Sequence, residues 1–352
     1  MSAKLGVGVI GVGILGSRHA RVYQEQDATQ LVAIADSDQK KSDELGAKLN
    51  VRAYADHRAM IAALGPKGSG EMGAVTVSTP DFAHFEIVRD CLEGGLDAFV
   101  EKPLTMDVGE ASSLVSLASK NSGVLVVNYS QRWLPEHRHV EDLLRSSSLG
   151  SIAFIESHRW DAAWVPQKMI GWGPKTTPIH FMSSHDIDLI TYWLDDKVDS
   201  VQAMAHKGIL SASLGNPEIV DGIIAILRFR KGTVVSLHSS WILPSGFPLA
   251  ADSYLEVLGE TGSLFLTGSG RELRLYKNDW AEKMTYSGPA TANEVQGRLE
   301  GAFVKSLLSF VDASRKRDFH VPTSAGRTIH VVEVQDAIIR AAQTASIVHL
   351  KG

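Results

Sequence analysis

Short apolar strands alternate with amphipathic helices through the first third of this 352-residue chain. The strand candidates are near-continuous apolar runs, which are typical of strands covered on both faces. They lie at 5–10, 31–35, 74–77, 98–100 and 124–127, with helical patterns between them at 14–26, 37–49 and 83–93. Strand–helix units repeated at this length need right-handed crossovers. The pattern therefore predicts a parallel, doubly wound sheet.

The pattern changes after residue 127, where strand-like runs follow one another with fewer helices between them. They lie at 151–160, 198–205, 222–229, 233–239, 254–259, 263–266 and 273–276. Helices are expected at 184–194, 295–315 and 324–348, and an irregular segment at 161–178. Gly, Asn and Asp between several strands favour antiparallel neighbours.

We therefore expect an α/β protein of two domains. Residues 1–127 form a doubly wound parallel sheet, and residues 128–352 form an α/β domain with a large, open, mostly antiparallel sheet and helices on one face. The final helix is a candidate to pack back on the N-terminal domain.

Composition excludes several classes of partner. The net charge of −5 is spread over mixed signs, which argues against binding to nucleic acid or anionic lipid. The apolar runs are too short to span a bilayer. A strand-like run begins at residue 5 and leaves no room for a signal peptide, and the single cysteine, Cys91, cannot form an intramolecular disulfide. We expect a cytoplasmic protein with no nucleic-acid or membrane partner and no metal ion at its site.

A glycine-rich turn follows the first strand, where residues 11–16 read Gly-Val-Gly-Ile-Leu-Gly. The first glycine permits the tight turn, the second lets the backbone approach a pyrophosphate, and the third allows the helix to pack closely on the strand. The helix N-terminus faces the phosphates. Asp36 ends the next strand, 20 residues beyond Gly16, and can accept hydrogen bonds from ribose hydroxyls. No arginine follows it at once, so the sequence predicts NAD in preference to NADP.

Glu101, Lys102 and Pro103 follow the run 98–100, at the carboxyl end of a strand, where open parallel sheets bind ligands. Oxidation of a secondary alcohol leaves a proton on oxygen, which a general base must accept. A partly desolvated lysine beside a positively charged nicotinamide has a lowered pKa and suits that role. Lys102 is therefore the candidate general base, while Glu101 either positions it or is an exposed strand end.

Several motifs of the chain resemble those of the glucose–fructose oxidoreductase/inositol dehydrogenase (Gfo/Idh/MocA) family. The mark of that family is Glu-Lys-Pro followed, after six residues, by Glu-Ala, and the chain has this pattern at 101–111. The resemblance extends over nearly the whole chain. Its further parts are Ser78-Thr79-Pro80 with His84, Asn128 with Arg132 and Pro135, the run 184–189, and the final helix near 326–345.

The resemblance implies an N-terminal Rossmann domain and a C-terminal domain whose open sheet forms oligomer contacts, so a homodimer or homotetramer is expected. It implies an NAD(P)-dependent dehydrogenase acting on a hydroxyl of a sugar, sugar derivative or cyclitol. Lys102 matches the general acid/base of the family, and His185 matches the histidine that assists it. The residues expected to bind the cofactor are Gly11, Gly13, Ile14, Leu15, Gly16, Asp36, Ser37, Thr79, Pro80, His84, Glu101 and Lys102. The residues expected to bind the substrate are Lys102, Asn128, Arg132, His158, Trp172, His180 and His185.

One position departs from the family pattern. Most members have an aspartate four residues before the histidine, where this chain has Phe181. His180 is one candidate to supply the missing polar group. Asp188, one turn beyond His185, is a candidate to orient the imidazole.

The helix expected at 184–194 has two candidate caps, Ser183 and Ser184. Carboxylates in its first turn, such as that of Asp186, can also act through the helix macrodipole alone. Upstream, Trp160 and Trp164 join Trp172 as candidates to pack against a sugar ring, although core or subunit-interface packing accounts for any one of them equally well.

The leading prediction is hydride transfer between NAD and a sugar or cyclitol hydroxyl. Two alternatives stay open. One is glycoside cleavage in which transient oxidation permits elimination and NAD is restored. The other is a non-catalytic regulator that senses NAD or a sugar, against which the presence of Lys102 argues.

Overall fold

The computed structural model describes residues 4–268, 270–287 and 293–350. Contacts between residues divide the chain into two compact units. The first comprises Met1–Trp133 with Pro289–Ile329, and the second comprises Leu134–Gly288 with His330–Gly352. Each unit thus takes residues from two separated parts of the chain. The domain boundary expected between residues 127 and 128 stays a prediction. The first unit also includes a later segment of the chain, Pro289–Ile329.

Seventeen strands occur among the described residues, in two large sheets and one hairpin. In chain order they are β1 Leu5–Ile10, β2 Thr29–Ala35, β3 Arg52–Tyr54, β4 Ala74–Val77, β5 Asp97–Glu101, β6 Leu125–Asn128, β7 Ile152–Ala162, β8 Val198–Lys207, β9 Val220–Phe229, β10 Val234–Leu243, β11 Ala251–Gly259, β12 Gly262–Thr267, β13 Glu272–Lys277, β14 Ala281–Thr285, β15 Asn293–Val295, β16 Arg298–Glu300 and β17 Val348–His349.

Eleven α-helices lie in the same described ranges. They are α1 Ile14–Glu25, α2 Gln39–Leu49, α3 His57–Leu64, α4 His84–Glu93, α5 Val108–Lys120, α6 Pro135–Arg145, α7 Pro178–Phe181, α8 Ser184–Leu194, α9 Ser211–Leu214, α10 Ala302–Lys316 and α11 Ala325–Thr344. Over the part of the chain that the structure describes, none of the helices combines the length and the apolar character that crossing a membrane requires.

The sheet of the first unit is wholly parallel, in the order β3-β2-β1-β4-β5-β6. This is the doubly wound order of dinucleotide-binding folds, in which the winding direction reverses between the first and fourth strands. The carboxyl ends of β1, β4, β5 and β6 therefore lie side by side at one edge of the sheet. The predicted α/β class with a parallel N-terminal sheet is confirmed.

Helices cover both faces of this sheet. Val7 and Val9 on one face belong to an apolar cluster with Phe303 and Phe310 of α10. Gly8 points to the other face, where an added Cβ would lie 3.1 Å from Met60 Cε of α3. Burial on both sides explains why the strands read as continuous apolar runs without alternation.

The helix predicted at 295–315 is wrong at its N-terminal end. Residues 293–300 form the antiparallel hairpin β15–β16, and α10 begins only at residue 302. Gln296 and Gly297 turn the hairpin with φ values of 49° and 80°, and Gly301 precedes the helix at 117°. Positive φ at three positions is incompatible with a continuous right-handed helix.

The second unit contains a nine-stranded sheet in the order β14-β13-β12-β11-β7-β10-β9-β8-β17. Only β7 and β10 pair in parallel, and the other described pairs are antiparallel. This confirms the large, mostly antiparallel sheet. The segment expected to be irregular is partly ordered, because β7 continues to Ala162 and a π-helical turn forms at Val165–Met169.

Side chains along the central strands of this sheet alternate between a buried face and an exposed one. On β10 the side chains of Val235, Leu237 and Trp241 are buried, and those between them are partly exposed. We call the exposed side of the nine-stranded sheet the open face. Its large apolar residues on the central strands are Phe154, Ile224, Ile226, Tyr254 and Leu258.

Candidate active site

The glycine turn between β1 and α1 has the backbone geometry that each glycine was predicted to allow. Gly11 has φ of 84°. A Cβ on Gly16 would lie 1.8 Å from Gly11 O, whereas one on Gly13 would meet nothing within 4 Å. The space above Gly13 at the start of α1 is therefore open, and an anion can approach the backbone there.

Exposed apolar side chains border that space. Ile14 is 60% exposed and Leu15 38% exposed, in the first turn of α1. Nearby, the carboxylate of Asp36 accepts hydrogen bonds from Val12 N at 2.8 Å and from Asp38 N at 2.9 Å. These two bonds fix the carboxylate beside the glycine turn. They leave further lone pairs on both oxygens for hydroxyl donors. Ser37 next to it is exposed.

The segment after β4 carries three of the predicted cofactor residues. Among the described residues, Thr79 Oγ1 is one of the buried polar atoms without a hydrogen-bond partner. Pro80 follows it, and His84 begins α4 with its ring between Pro103 O, 2.7 Å from Nδ1, and Thr79 O, 3.0 Å from Nε2. His84 thus ties the segment after β4 to the segment after β5. A buried hydroxyl without a partner suits a ligand atom at this edge.

A buried polar network surrounds Glu101 at the end of β5. Its Oε1 lies 2.8 Å from His19 Nε2 and accepts a hydrogen bond from Asn128 Nδ2, also at 2.8 Å. Asn128 Oδ1 in turn accepts from Ser306 Oγ of α10 at 2.8 Å. Burial alone would raise the pKa of Glu101, but the hydrogen bond and charge of His19, the Asn128 amide and the Lys102 charge outweigh it and hold the pKa below its ordinary value.

Lys102 is half-buried and follows Glu101 directly, before a cis bond to Pro103. Its ammonium is close enough to Glu101 to help lower the pKa of that carboxyl. The interpretation of Glu101 as an exposed strand end is wrong, because the residue is only 6% exposed.

The network contains residues that sequence analysis missed. His19 lies one helical turn into α1, three residues after Gly16, and Ser306 comes from α10. The spacing of His19 from the glycine turn was a signal in the sequence. Ser306 had none, because its contact with Asn128 spans 178 residues.

Asn128 and Arg132, both predicted to bind substrate, are buried and make contacts inside the first unit. Asn128 bridges Glu101 and Ser306, as described above. Arg132 Nη1 donates to Pro322 O at 3.0 Å. Their contacts with a substrate remain predictions.

In the second unit His185 is half-buried in the first turn of α8. The next residue, Asp186, pairs with Arg159 of β7 through two bonds of 2.7 Å, from Nε to Oδ2 and from Nη2 to Oδ1. Burial opposes the charge of Arg159, but Asp186 outweighs it and raises the pKa of the guanidinium. Asp186 therefore anchors α8 to the sheet rather than acting on the helix dipole alone.

The predicted serine cap of α8 is wrong. Ser183 stands at the N-cap, but its hydroxyl does not cap the helix and bonds instead to the Ser239 hydroxyl of β10. The register of β10 and β7 places Ser239 opposite Arg159. Two side-chain contacts on the buried face of the sheet thus replace the cap.

The positions around the absent aspartate are packed into the second unit. Phe181 lies beside Trp241, with 6.3 Å between ring centroids, and Trp172 packs partly buried against the same cluster. His180 is buried, with Nδ1 3.0 Å from Thr177 Oγ1. Phe181 and Trp172 accordingly contribute to an apolar core, and the role of His180 toward a substrate stays a prediction.

His158 and Trp160 lie on the open face, with 5.3 Å between their ring centroids. Arg159 between them faces the opposite side, toward α8. The structure thus groups His158 with residues of the open face and not with Asp186 of α8.

Comparisons with known proteins agree with this architecture. The model of an oxidoreductase family with an NAD-binding Rossmann fold (GFO_IDH_MocA) matches residues 5–129, and its C-terminal alpha/beta domain model matches residues 141–350. UDP-N-acetylglucosamine 3-dehydrogenase from Acidithiobacillus ferrooxidans is 27% identical over 67% of either chain. Myo-inositol 2-dehydrogenase from Thermotoga maritima is 25% identical over 74% of either chain.

Among solved structures, an oxidoreductase from Agrobacterium radiobacter in complex with NAD+, L-tartaric acid and magnesium is similar, with a TM-score of 0.80 and 18% identity. The match covers 99% of this chain and 98% of that one. At this identity the likeness concerns the fold. Because the two family models together span nearly the whole sequence, the chain belongs to the Gfo/Idh/MocA family of oxidoreductases and has its NAD-binding Rossmann domain.

Proposed function

We propose that the protein transfers a hydride between NAD and a hydroxyl of a sugar, sugar derivative or cyclitol, with Lys102 as general acid/base and His185 as its assistant. Two relatives of the chain are dehydrogenases of a sugar nucleotide and of myo-inositol. The observation that carries the proposal is the position of Lys102, half-buried at the carboxyl end of β5 and directly after the buried carboxylate of Glu101.

The cofactor would lie across the carboxyl edge of the parallel sheet. The open backbone at Gly13 and the N-terminus of α1 receive the pyrophosphate. Asp36 accepts hydrogen bonds from a ribose, and the Thr79 hydroxyl donates to or accepts from the bound molecule. NAD, when bound, supplies the hydride acceptor. Because a carboxylate at Asp36 repels a 2′-phosphate, NAD is preferred to NADP.

Lys102 handles the proton. In the oxidation direction its neutral amine accepts the proton of the substrate hydroxyl, and in reduction its ammonium returns it. Because oxidation uses the neutral amine, it should be faster at higher pH. The His19 and Asn128 contacts keep the Glu101 carboxylate fixed, which in turn keeps Lys102 at the strand end.

A panel of sugars, sugar nucleotides and cyclitols, assayed with NAD and with NADP, tests this function. We expect one or more substrates to give stoichiometric NADH, with NAD preferred. Product without net NADH would instead establish glycoside cleavage. Binding of NAD and a sugar with no turnover of any compound would point to the regulatory alternative.

We also propose that the protein forms a homodimer or homotetramer through the open face and works in the cytoplasm. The large exposed apolar residues of the open face support the first part. The single cysteine, buried in α4 where burial raises the pKa of its thiol, suits a reducing compartment. Light scattering after size exclusion measures the oligomer, and a monomer at micromolar concentration would contradict the assembly.

A further inference from the structure

Three side chains lie together in the middle of the open face, among them His158, which was predicted to bind substrate. His158 of β7 and His238 of β10 are direct partners in the parallel register, and Glu156 lies two residues before His158 on the same side. All three are partly exposed. They belong to the two central strands of the nine-stranded sheet, where the backbone is held on both sides by neighbouring strands.

One ligand atom of each residue lies within 4.8 Å of the others, close enough for all three to reach one metal ion. His158 Nε2 lies 2.7 Å from Glu156 Oε1, and His238 Nε2 lies 3.8 Å from the same oxygen. Zinc–nitrogen and zinc–oxygen bonds are about 2.1 Å long, so two ligands of one tetrahedral ion are about 3.4 Å apart. The observed distances lie on either side of that value.

The two imidazole rings are held in a parallel arrangement, 4.4 Å apart with 6° between their planes. Trp160 packs against the ring of His158, with 5.3 Å between centroids. His238 Nε2 has Ser236 Oγ at 2.8 Å. That bond and the bond between Glu156 and His158 are the interactions with which a cation would compete.

The charge around the cluster favours a cation. The antiparallel register of β11 and β7 places Glu256 directly opposite Glu156. Like charges in directly opposite positions of neighbouring strands destabilise a sheet. A divalent ion bound at Glu156 would offset this repulsion.

We propose that Glu156, His158 and His238 bind a divalent transition-metal ion, of the class of Zn²⁺, Co²⁺ or Ni²⁺, on the open face. Two imidazoles and one carboxylate select such borderline cations over Mg²⁺, which prefers oxygen ligands. Three protein ligands leave at least one coordination position for water or another ligand. All three ligands belong to one chain, so the site needs no second copy, although in the assembly proposed above it would lie at the interface between copies. It does not depend on the proposed hydride transfer.

Calorimetric titration of the untagged, chelator-treated full chain with ZnCl₂, and separately with MgCl₂, tests the proposal. We expect one Zn²⁺ per chain and no comparable Mg²⁺ binding. His158→Ala and His238→Ala should each weaken Zn²⁺ binding more than about tenfold, because even outer-shell partners of metal ligands contribute tenfold or more. Ser236→Ala should leave binding unchanged or tighten it, since it removes a competing hydrogen bond.

His206→Ala is the matched control, because His206 is an exposed histidine of the same sheet beside a carboxylate, Asp221. It should bind Zn²⁺ within about twofold of the parent. Thermal unfolding without metal checks that the variants fold. With Zn²⁺, the Tm of the parent should rise and that of His238→Ala should not. No binding at millimolar Zn²⁺, or equal binding by the parent and both histidine variants, would overturn the proposal.

Discussion

The two sheets of the molecule differ in what covers them, and the difference decides where reactive side chains lie. The parallel sheet is buried on both faces, and the buried polar residues of the candidate site, Glu101 and Asn128, lie at the carboxyl ends of β5 and β6. The nine-stranded sheet has one open face, and polar residues such as Glu156 and His238 stand in the middle of its strands. In the parallel sheet, the candidate functional residues are found at one end of the strands. In the nine-stranded sheet, they are found on one face of the strands.

Replacement of Lys102 by alanine is the strongest test of the proposal that functional residues lie at the carboxyl end of the parallel sheet. Loss of a general acid/base lowers rates by about 10²- to 10⁴-fold, and we expect kcat for the best substrate to fall in that range. Lys120→Ala, at the exposed end of α5, is the control. A kcat of Lys102→Ala within threefold of the parent contradicts the assigned role.

The glycine turn offers a pair of substitutions that separates folding from ligand binding. Gly16→Ala places a Cβ 1.8 Å from Gly11 O, so α1 must shift. Overpacking of this kind costs about 1–3 kcal/mol of unfolding free energy, and NAD binding should be lost with it. Gly13→Ala meets nothing within 4 Å and should leave stability nearly unchanged.

Calorimetry with NAD completes that test. Gly13→Ala should still weaken NAD binding, because its methyl group enters the space assigned to the pyrophosphate. If Gly13→Ala binds NAD as the parent does, the cofactor does not approach the backbone there.

Neighbouring residues of β9 sharpen the contrast between the two faces of the second sheet. Leu227 is buried and Ile226 is 41% exposed on the open face. Leu227→Ala should lower the free energy of unfolding by about 2–5 kcal/mol, and Ile226→Ala by much less. Denaturant titrations at two protein concentrations separate folding from association. Equal losses at the lower protein concentration, where association is weakest, would contradict the difference in exposure between Leu227 and Ile226.

Glu101→Gln tests the buried network and its pH dependence. Hydrogen bonds to a charged group contribute about 1.5–3 kcal/mol each, so we expect a loss of that order at pH 7. The folded pKa of Glu101 is below its ordinary value, so its stabilising contribution is complete above about pH 4.3, the pKa in unfolded chains. It disappears as pH falls through the folded pKa.

Denaturant unfolding of the parent and the Glu101→Gln variant between pH 7 and pH 3 measures this effect. The difference between them should stay constant down to about pH 5 and narrow below. Glu44→Gln, at an exposed position of α2, is the control. A difference that widens at acid pH would show that Glu101 is protonated in the folded protein.

Much of this architecture could be predicted because it depends on local pattern. The helix at 184–194 has the expected bounds. The glycine turn and the Glu101–Lys102 strand end were equally local signals. Each is defined by residues within a few positions of one another.

What could not be predicted depends on contacts between distant segments. The pairing of Asp186 with Arg159 replaces an expected cap effect, and no periodicity indicates it. Alternation along β7 separates Glu156 and His158 from Arg159, but only the register with β10 brings His238 to His158. The spacing of residues within one segment cannot predict contacts between segments that are far apart in the sequence.

The packing of α10 on the parallel sheet has a consequence for synthesis of the chain. Phe303 and Phe310 join the cluster that contains Val7 and Phe99, so one face of that sheet lacks part of its cover until residues beyond 316 have left the ribosome. Nascent chains that end before α10 expose an apolar surface of the kind chaperones bind. Most of the protein must therefore be translated before the parallel sheet, which is synthesised first, is fully packed.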